Sequence, residues 1–520
     1  MKNKLFISTL ILSILVGGFS MTGYCQQEEK PAEPADLAKL RAAIQANPTD
    51  LSAHEAYLKA SGFTKWGAAE DPEFIKQYQQ WMQQFPQSAT VAYALGHAYA
   101  GKESPKAKPY LLKAIEIDPK FDKAYFDLWI DAERWGDFNL SREYIAMAKK
   151  TAPKNADYAF YYANTFSDGN PAKYTKESLK VAKKFPNTER GAQALYWLAN
   201  RTKDEKKKVK YYEMQKKQFP ADKFSWTSSG MSEYYNLLLR TSTPKAITLA
   251  EEMAALKNNE ERDKKMWQTN ITTAKNIQEV EELLAQQKPA EALALMDKVT
   301  VPRYSSAKDF ILFLKTRSME SAGKVEDAYK TLLLSYVKEP TKKVYEQLVT
   351  TAGKLGKNEA GVNSAIWYVR DTSAKQAPVF NLHNYYTNSL TSLNDYNGKV
   401  VLITYWFPGC GPCRGEFPHF ENVVRNFRNN PNFVYLGINI VPEQDDYVLP
   451  FMKASGYSFI PLKDNDKWTK GPLDNRNAAP VNFLIDGSGK IIFANFRTDG
   501  TNEETLQMMI SSMLDRNKSA

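Results

Sequence analysis

The chain of 520 residues has only three cysteines and four histidines. Four-coordinate zinc at the close pair Cys410 and Cys413 would need two further ligands. The remaining cysteine, Cys25, is far away near the N-terminus, and His419 is a candidate third ligand with no evident fourth. Strand signals almost vanish between about residues 37 and 370, which excludes a sheet there and leaves helices. The apolar run Leu5 to Val16 stops at Gly17-Gly18, short of the roughly 20 residues needed to span a bilayer. Net charge is +10, but no basic stripe accounts for it. The densest cluster, Lys203 to Lys210, alternates with acids on a predicted helix and reads as a solvated face. Nucleic acid is therefore not an expected partner.

Hydrophobic residues make up 43% and aromatics 12%, which is globular composition, and the length implies two or three domains. Residues 1–25 read as a secretory signal: Lys2 and Lys4, then the apolar run, then Gly23 and Cys25 as small residues for cleavage after Cys25. Two alternatives stay open, an uncleaved anchor and lipidation at Cys25, although Tyr24 suits a lipid-attachment signal poorly. Membrane contact is expected only in those two cases. Residues 26–36 are polar and contain Pro31 and Pro34, as in a flexible tether.

The most informative stretch is Trp406-Phe407-Pro408-Gly409-Cys410-Gly411-Pro412-Cys413-Arg414-Gly415-Glu416-Phe417-Pro418. It follows Val400 to Tyr405, an apolar β-branched run that reads as a buried strand. Beyond Cys413 the spacing becomes helical, with Phe417, Phe420, Val423, Val424 and Phe427 on one face. Cys410 thus sits at a predicted helix N-terminus, where unpaired N–H groups and the helix dipole favour a thiolate. Cys413, one turn on, is placed to resolve a mixed disulfide on Cys410. A purely structural disulfide would close so short a loop that it would remove little chain entropy.

Residues 376 to 518 resemble the thioredoxin-fold TlpA-like disulfide reductases of bacterial envelopes, within the wider redoxin superfamily. The resemblance rests on Asn397-Gly398-Lys399-Val400-Val401-Leu402, Trp406, the Cys410-Gly411-Pro412-Cys413-Arg414 motif with Glu416-Phe417-Pro418, and Ala479-Pro480-Val481-Asn482-Phe483-Leu484-Ile485-Asp486-Gly487-Ser488-Gly489-Lys490. It implies a cis Ala479–Pro480 bond beside the cysteines, and substrate contacts from Trp406, Gly411, Pro412, Ala479 and Pro480. Thioredoxin has a buried acid where this chain has Thr404, and a tryptophan where it has Gly409. Glu416 stands where the family carries an acid near the cysteines. It shares a helix face with Cys413 and is the candidate proton acceptor, the alternative being a residue that only complements the helix dipole. No cofactor is expected beyond a redox-active Cys410–Cys413 disulfide.

In the helical half, Pro86, Pro119, Pro153, Pro186 and Pro220 recur every 33 or 34 residues, the period of tetratricopeptide units. Leu95-Gly96 and Tyr99 fit the first helix of such a unit. Ala107, Leu111 and Ala114 fit its second helix, as do Ser141, Ile145 and Ala148, and Ala328, Leu332 and Ser335. Interiors match poorly before Pro186 and Pro220. The aromatics Tyr125, Trp129, Tyr158, Phe160, Tyr161, Tyr162, Tyr196 and Trp197 are expected in the core. His54 and His97 have no metal-type companions.

The expected architecture is an all-α tetratricopeptide-like solenoid over 37–370, followed by an α/β thioredoxin-like domain over 371–520, with Asp371 to Pro378 as a linker. The expected function is an exported, periplasmic or cell-envelope thiol–disulfide oxidoreductase. Cys410, Cys413 and Glu416 would be catalytic, and the Gly411-Pro412 pair favours reduction. Protein disulfides and an envelope electron donor are the expected partners, with the repeats binding protein. The alternatives are a thioredoxin-fold peroxidase, for which Pro408-Gly409-Cys410 lacks the usual threonine, and a non-catalytic binding module.

Overall fold

The computed structural model describes residues 34–64, 69–256, 260–302, 305–465, 473, 475 and 478–519. The expected signal segment with Cys25, and the tether as far as residue 33, lie outside the described residues.

Among the described residues nineteen α-helices precede the first strand, from α1 (Pro34–Ala46) to α19 (Glu359–Ser373). This part of the chain is helical and solenoid-like. The five periodic prolines mark helix ends. Helices α3 (Pro72–Gln84), α5 (Ala107–Ile117), α7 (Phe138–Thr151), α9 (Pro171–Lys184) and α11 (Glu205–Gln218) each end two residues before one of them. Proline lacks the N–H that would continue the helix, so the chain turns there. Starts are equally explicit: Asp50, Asp71, Ser88, Asn170, Thr188 and Asp204 each cap a helix by accepting backbone N–H groups. Helix α4 (Ala89–Gly101) lies so close to α5 that a Cβ on Gly96 would sit 2.8 Å from the Leu111 side chain.

The chain forms two compact units, each discontinuous in sequence. One comprises Arg142–Gln376, Lys490–Phe493 and Gly500–Ala520. In it Tyr158 and Phe160 are buried, whereas Tyr161, Tyr162, Tyr196 and Trp197 are half-buried. Helices α17 (Val325–Lys338), α18 (Lys342–Gly353) and α19 share a core onto which Met508 packs from the C-terminal helix α22 (Glu503–Ser519). Arg516 grips Asp371 through two bonds of 2.6 and 2.7 Å. The stretch expected as a linker is therefore structured: Asp371 to Ser373 finish α19, and β1 (Lys375–Gln376) pairs antiparallel with Lys490 and Ile491 of β8 (Lys490–Phe496). Two exposed residues of strand are too short to show in any periodic pattern.

The other unit comprises Ala377–Gly489, Ala494–Asp499 and the described parts of Met1–Ser141. Its strands lie in the order β7 (Val481–Ile485), β4 (Val400–Trp406), β5 (Phe433–Asn439), β6 (Ile460–Lys463), β2 (Asn381–Asn384) and β3 (Leu390–Ser392). β4 runs parallel to β5 and antiparallel to β7. Every residue of β4 is buried, as expected of a central strand covered on both faces. The crossover from β4 to β5 carries α20 (Gly411–Val424), and α21 (Asp445–Ser455) precedes β6. Phe417, Phe420, Val423 and Val424 turn the apolar face of α20 inward, all buried. This is a thioredoxin-like α/β domain.

Within the same unit α6 (Asp122–Arg134) and the turn after it dock on α21. The Tyr447 hydroxyl donates to Asp131 at 2.9 Å, and the Trp135 ring lies 4.8 Å from that of Tyr447. Gly136 has φ +72°, and a Cβ there would be 2.8 Å from the Phe451 carbonyl oxygen. Only glycine meets both demands without strain.

Candidate active site

Strand β4 delivers Trp406 at its C-terminal end, and the turn Phe407 to Gly409 leads into α20. Cys410 is the N-cap residue of that helix, with extended backbone. It is disulfide-bonded to Cys413, the Cα atoms 5.3 Å apart. The Cys413 N–H donates to Cys410 Sγ at 3.2 Å, so an N–H of the first helical turn already faces the sulfur. In the dithiol form the same N–H and the helix dipole would favour a thiolate at Cys410.

Cys410 is 2% exposed and Cys413 is fully buried. Gly411 and Pro412, between them, are half-buried, as is Ala479. The Ala479–Pro480 bond is cis. Trp406 departs from expectation. It is 0% exposed, with ring contacts to Phe417, Phe451 and Phe459 at 5.6, 5.2 and 5.0 Å. It props the strand end from within the core and offers no face to a substrate. Adjacency to the motif suggests contact, but the strand buries it.

Glu416 is 2% exposed. Its Oε1 accepts from the Thr498 N–H at 2.7 Å and lies 3.3 Å from Arg497 Nε. Oε2 accepts from Asn482 Nδ2 at 3.0 Å. Burial dominates and raises the carboxyl above its ordinary value, against the lowering influence of Arg497, Asn482 and Thr498. A carboxyl held in that way can exchange a proton closer to neutrality. Thr404, paired across the sheet with Asn482, donates its hydroxyl to Asn482 Oδ1. Asn482 also donates to the Phe496 carbonyl at 2.9 Å. The substitution of Thr404 for an acid is thus linked to Glu416 through one amide.

Sequence reasoning misses Asn482, Arg497 and Thr498 as site residues. Asn482 is legible as a polar residue interrupting an otherwise apolar strand. Arg497 and Thr498 follow a strand end and carry no such signal. Among the described residues no group of three or more His, Cys, Asp and Glu side chains is placed to hold a metal ion.

Residues 374–494 match the AhpC/TSA family. The domain is similar to the thiol-disulfide oxidoreductase ResA of Bacillus subtilis (strain 168), at 32% identity over 104 residues, 19% of this chain and 54% of that protein. It is also similar to the thioredoxin-like protein YneN of the same organism, at 28% identity over 119 residues, 22% of this chain and 67% of that protein. The chain thus spans between about half and two thirds of the length of these relatives. Among solved structures, a thiol:disulfide interchange protein of the thioredoxin family from Chlorobium tepidum TLS matches at 22% identity. It covers 27% of this chain and 97% of that one, with a TM-score of 0.22.

Proposed function

We propose that the protein is a thiol–disulfide oxidoreductase acting through Cys410 and Cys413, chiefly as a reductase of protein disulfides. The observation that carries this reading is the disulfide at the N-terminus of α20, with the Cys413 N–H on Cys410 Sγ. In the reduced form the Cys410 thiolate attacks one sulfur of a substrate disulfide. A mixed disulfide forms and the other substrate sulfur leaves as a thiolate. Cys413 then loses its proton to Glu416 and attacks Cys410 Sγ. The second substrate sulfur departs and the Cys410–Cys413 disulfide returns. Two electrons have passed to the substrate, and an external dithiol donor restores the pair. No bound cofactor takes part.

Gly411, Pro412, Ala479 and Pro480 are assigned to substrate contact. The rim formed by the half-buried Gly411, Pro412 and Ala479 supports that assignment, and Trp406 is assigned to support of the strand end. The proposal extends to a boundary near 371 between a tetratricopeptide-type repeat domain and the redox domain, with the repeats binding protein partners. It also extends to export into the cell envelope, supported by Lys2, Lys4 and the run Leu5 to Val16. The test is turnover of a protein disulfide by the purified chain with a dithiol donor. Activity abolished by Cys410→Ser is expected; full activity in that variant would end the proposal.

A further inference from the structure

The peptide group joining Pro408 to Gly409 immediately precedes Cys410, and both of its polar atoms are held. The Gly409 N–H donates to Gln444 Oε1 at 2.5 Å. The Pro408 carbonyl accepts from Arg414 Nη1 at 3.2 Å. Each holder is in turn engaged by a carboxylate from the helical region. Gln444 Nε2 donates to Glu103 Oε2, and Arg414 Nε lies 3.9 Å from Glu133 Oε2.

We propose that Glu103 is a positioning residue for the Cys410–Cys413 pair, acting through Gln444 on the Pro408–Gly409 peptide, with Glu133 acting in parallel through Arg414. The helical region thereby completes the redox site, an inference that rests on the oxidoreductase reading above.

Four observations carry it. The orientation of the Gln444 amide is dictated, because a peptide N–H can only donate and must face Oε1, which turns Nε2 toward the carboxylate. Gln444 is fully buried, and a buried amide with both ends satisfied is held rigidly. Space enforces the same arrangement: a Cβ on Gly409 would lie 2.8 and 2.9 Å from the Gln444 amide and 2.9 Å from Glu103 Oε2. Where thioredoxin has a tryptophan, this chain has a gap that the carboxylate of the helical region fills. Glu103 itself has φ +54°, a left-handed conformation uncommon outside glycine. It is fixed there by Arg134, which donates to Glu103 Oε1 at 3.1 Å and to the Ala100 carbonyl at 3.4 Å. Finally, the docking that delivers Glu103 is itself built and buried, through Asp131, Tyr447 and Gly136.

With one carboxylate oxygen on Arg134 and the other on Gln444, the chain of donors runs in one direction: Gly409 to Gln444 to Glu103, met by Arg134. Exchanging the two side chains keeps every link satisfied, with the central hydrogen bond reversed. In the double variant Glu103→Gln/Gln444→Glu, the Gly409 N–H donates to the carboxylate now at position 444. The amide now at position 103 donates its N–H to that same carboxylate and accepts from Arg134 through its oxygen. Gln444→Glu alone breaks the link to Glu103, and Glu103→Ala breaks that link and the one to Arg134. The experiment uses the full chain, reduced, in single turnover with oxidised glutathione across pH. Tyr78→Phe, which removes the buried hydrogen bond between the Tyr78 hydroxyl and His54 Nδ1 and touches neither the docking contacts nor any link to Gly409, serves as a stability-matched control.

Glu103→Ala and Gln444→Glu are expected to slow the reaction by roughly tenfold to a hundredfold, the scale of a small misplacement of reacting atoms. The exchange variant should recover to within about threefold of wild type, and Tyr78→Phe should melt earlier at an unchanged rate. A wild-type rate in Glu103→Ala, or no recovery in the exchange variant, overturns the inference while leaving the oxidoreductase reading intact. Failure of the reduced wild-type protein to react with the disulfide at all overturns both.

Discussion

Asn482 Nδ2 donates to Glu416 Oε2 at 3.0 Å, while Asn482 Oδ1 accepts the Thr404 hydroxyl. One buried amide therefore ties the central strand to the carboxyl on the cysteine helix. Asn482→Ala removes a donor to the charged form and leaves the Thr404 hydroxyl and the Phe496 carbonyl without this partner. Each buried polar group so stranded costs roughly 1–3 kcal/mol. The variant should unfold about 3 kcal/mol more easily in denaturant titration. Its Glu416 carboxyl should move further up, so that the resolving step needs higher pH. An unchanged midpoint and pH profile would make Asn482 a bystander.

Glu416→Gln keeps size and removes the base. Resolution of the mixed disulfide by Cys413 should slow by roughly 10²-fold, the low end of general-base effects. Attack by Cys410 should change less, because the helix terminus activates it. Single-turnover kinetics that follow mixed disulfide measure both steps. An unaltered resolution rate would reduce Glu416 to a structural carboxyl.

The same carboxyl links stability to pH. Burial raises it above its ordinary value of 4.5, so the folded oxidised state holds the proton more tightly than the unfolded chain. The stabilising preference for the protonated form is fully present below pH 4.5 and is lost as pH rises through the folded value. Glu416→Gln cannot ionise there. Its melting temperature should gain on that of wild type as pH rises from 4 toward neutrality, and a pH-independent difference would contradict the shift.

The redox motif is legible because its signals are local. A buried strand, a helix N-cap and a cysteine pair fall within twenty residues, and the apolar spacing of α20 appears unchanged in the structure. Helix ends at Pro86, Pro119, Pro153, Pro186 and Pro220 are legible for the same reason, since proline acts on its own turn. What stays hidden is long-range. Gln444 and Glu103 are 341 residues apart in sequence, and neither sits in a pattern that names its partner. Gly409 stands out as a departure, yet its cause lies on a turn between α4 and α5. The motif places Trp406 by its neighbours, whereas the covering of both sheet faces decides where its ring goes.

Docking of α6 on α21 depends on Gly136. Gly136→Ala adds left-handed strain of about 1–2 kcal/mol and a Cβ 2.8 Å from a backbone oxygen, which is overpacking of about 1–3 kcal/mol. The variant should be destabilised by about 2–5 kcal/mol in chemical denaturation. A change below about 0.5 kcal/mol, the scale of an ordinary surface substitution, would mean that the turn shifts freely and that the contact is slack.

In the proposed cycle Cys410 attacks and Cys413 resolves. Its most direct test is the rate of iodoacetamide alkylation against pH in the reduced single-cysteine variants Cys413→Ser and Cys410→Ser. Cys410, alone at the N-cap of α20, should react faster and reach half its maximal rate below the free-cysteine value of about pH 8.5. Cys413, fully buried, should react slowly across the same range. A faster and more acidic Cys413 would contradict the account.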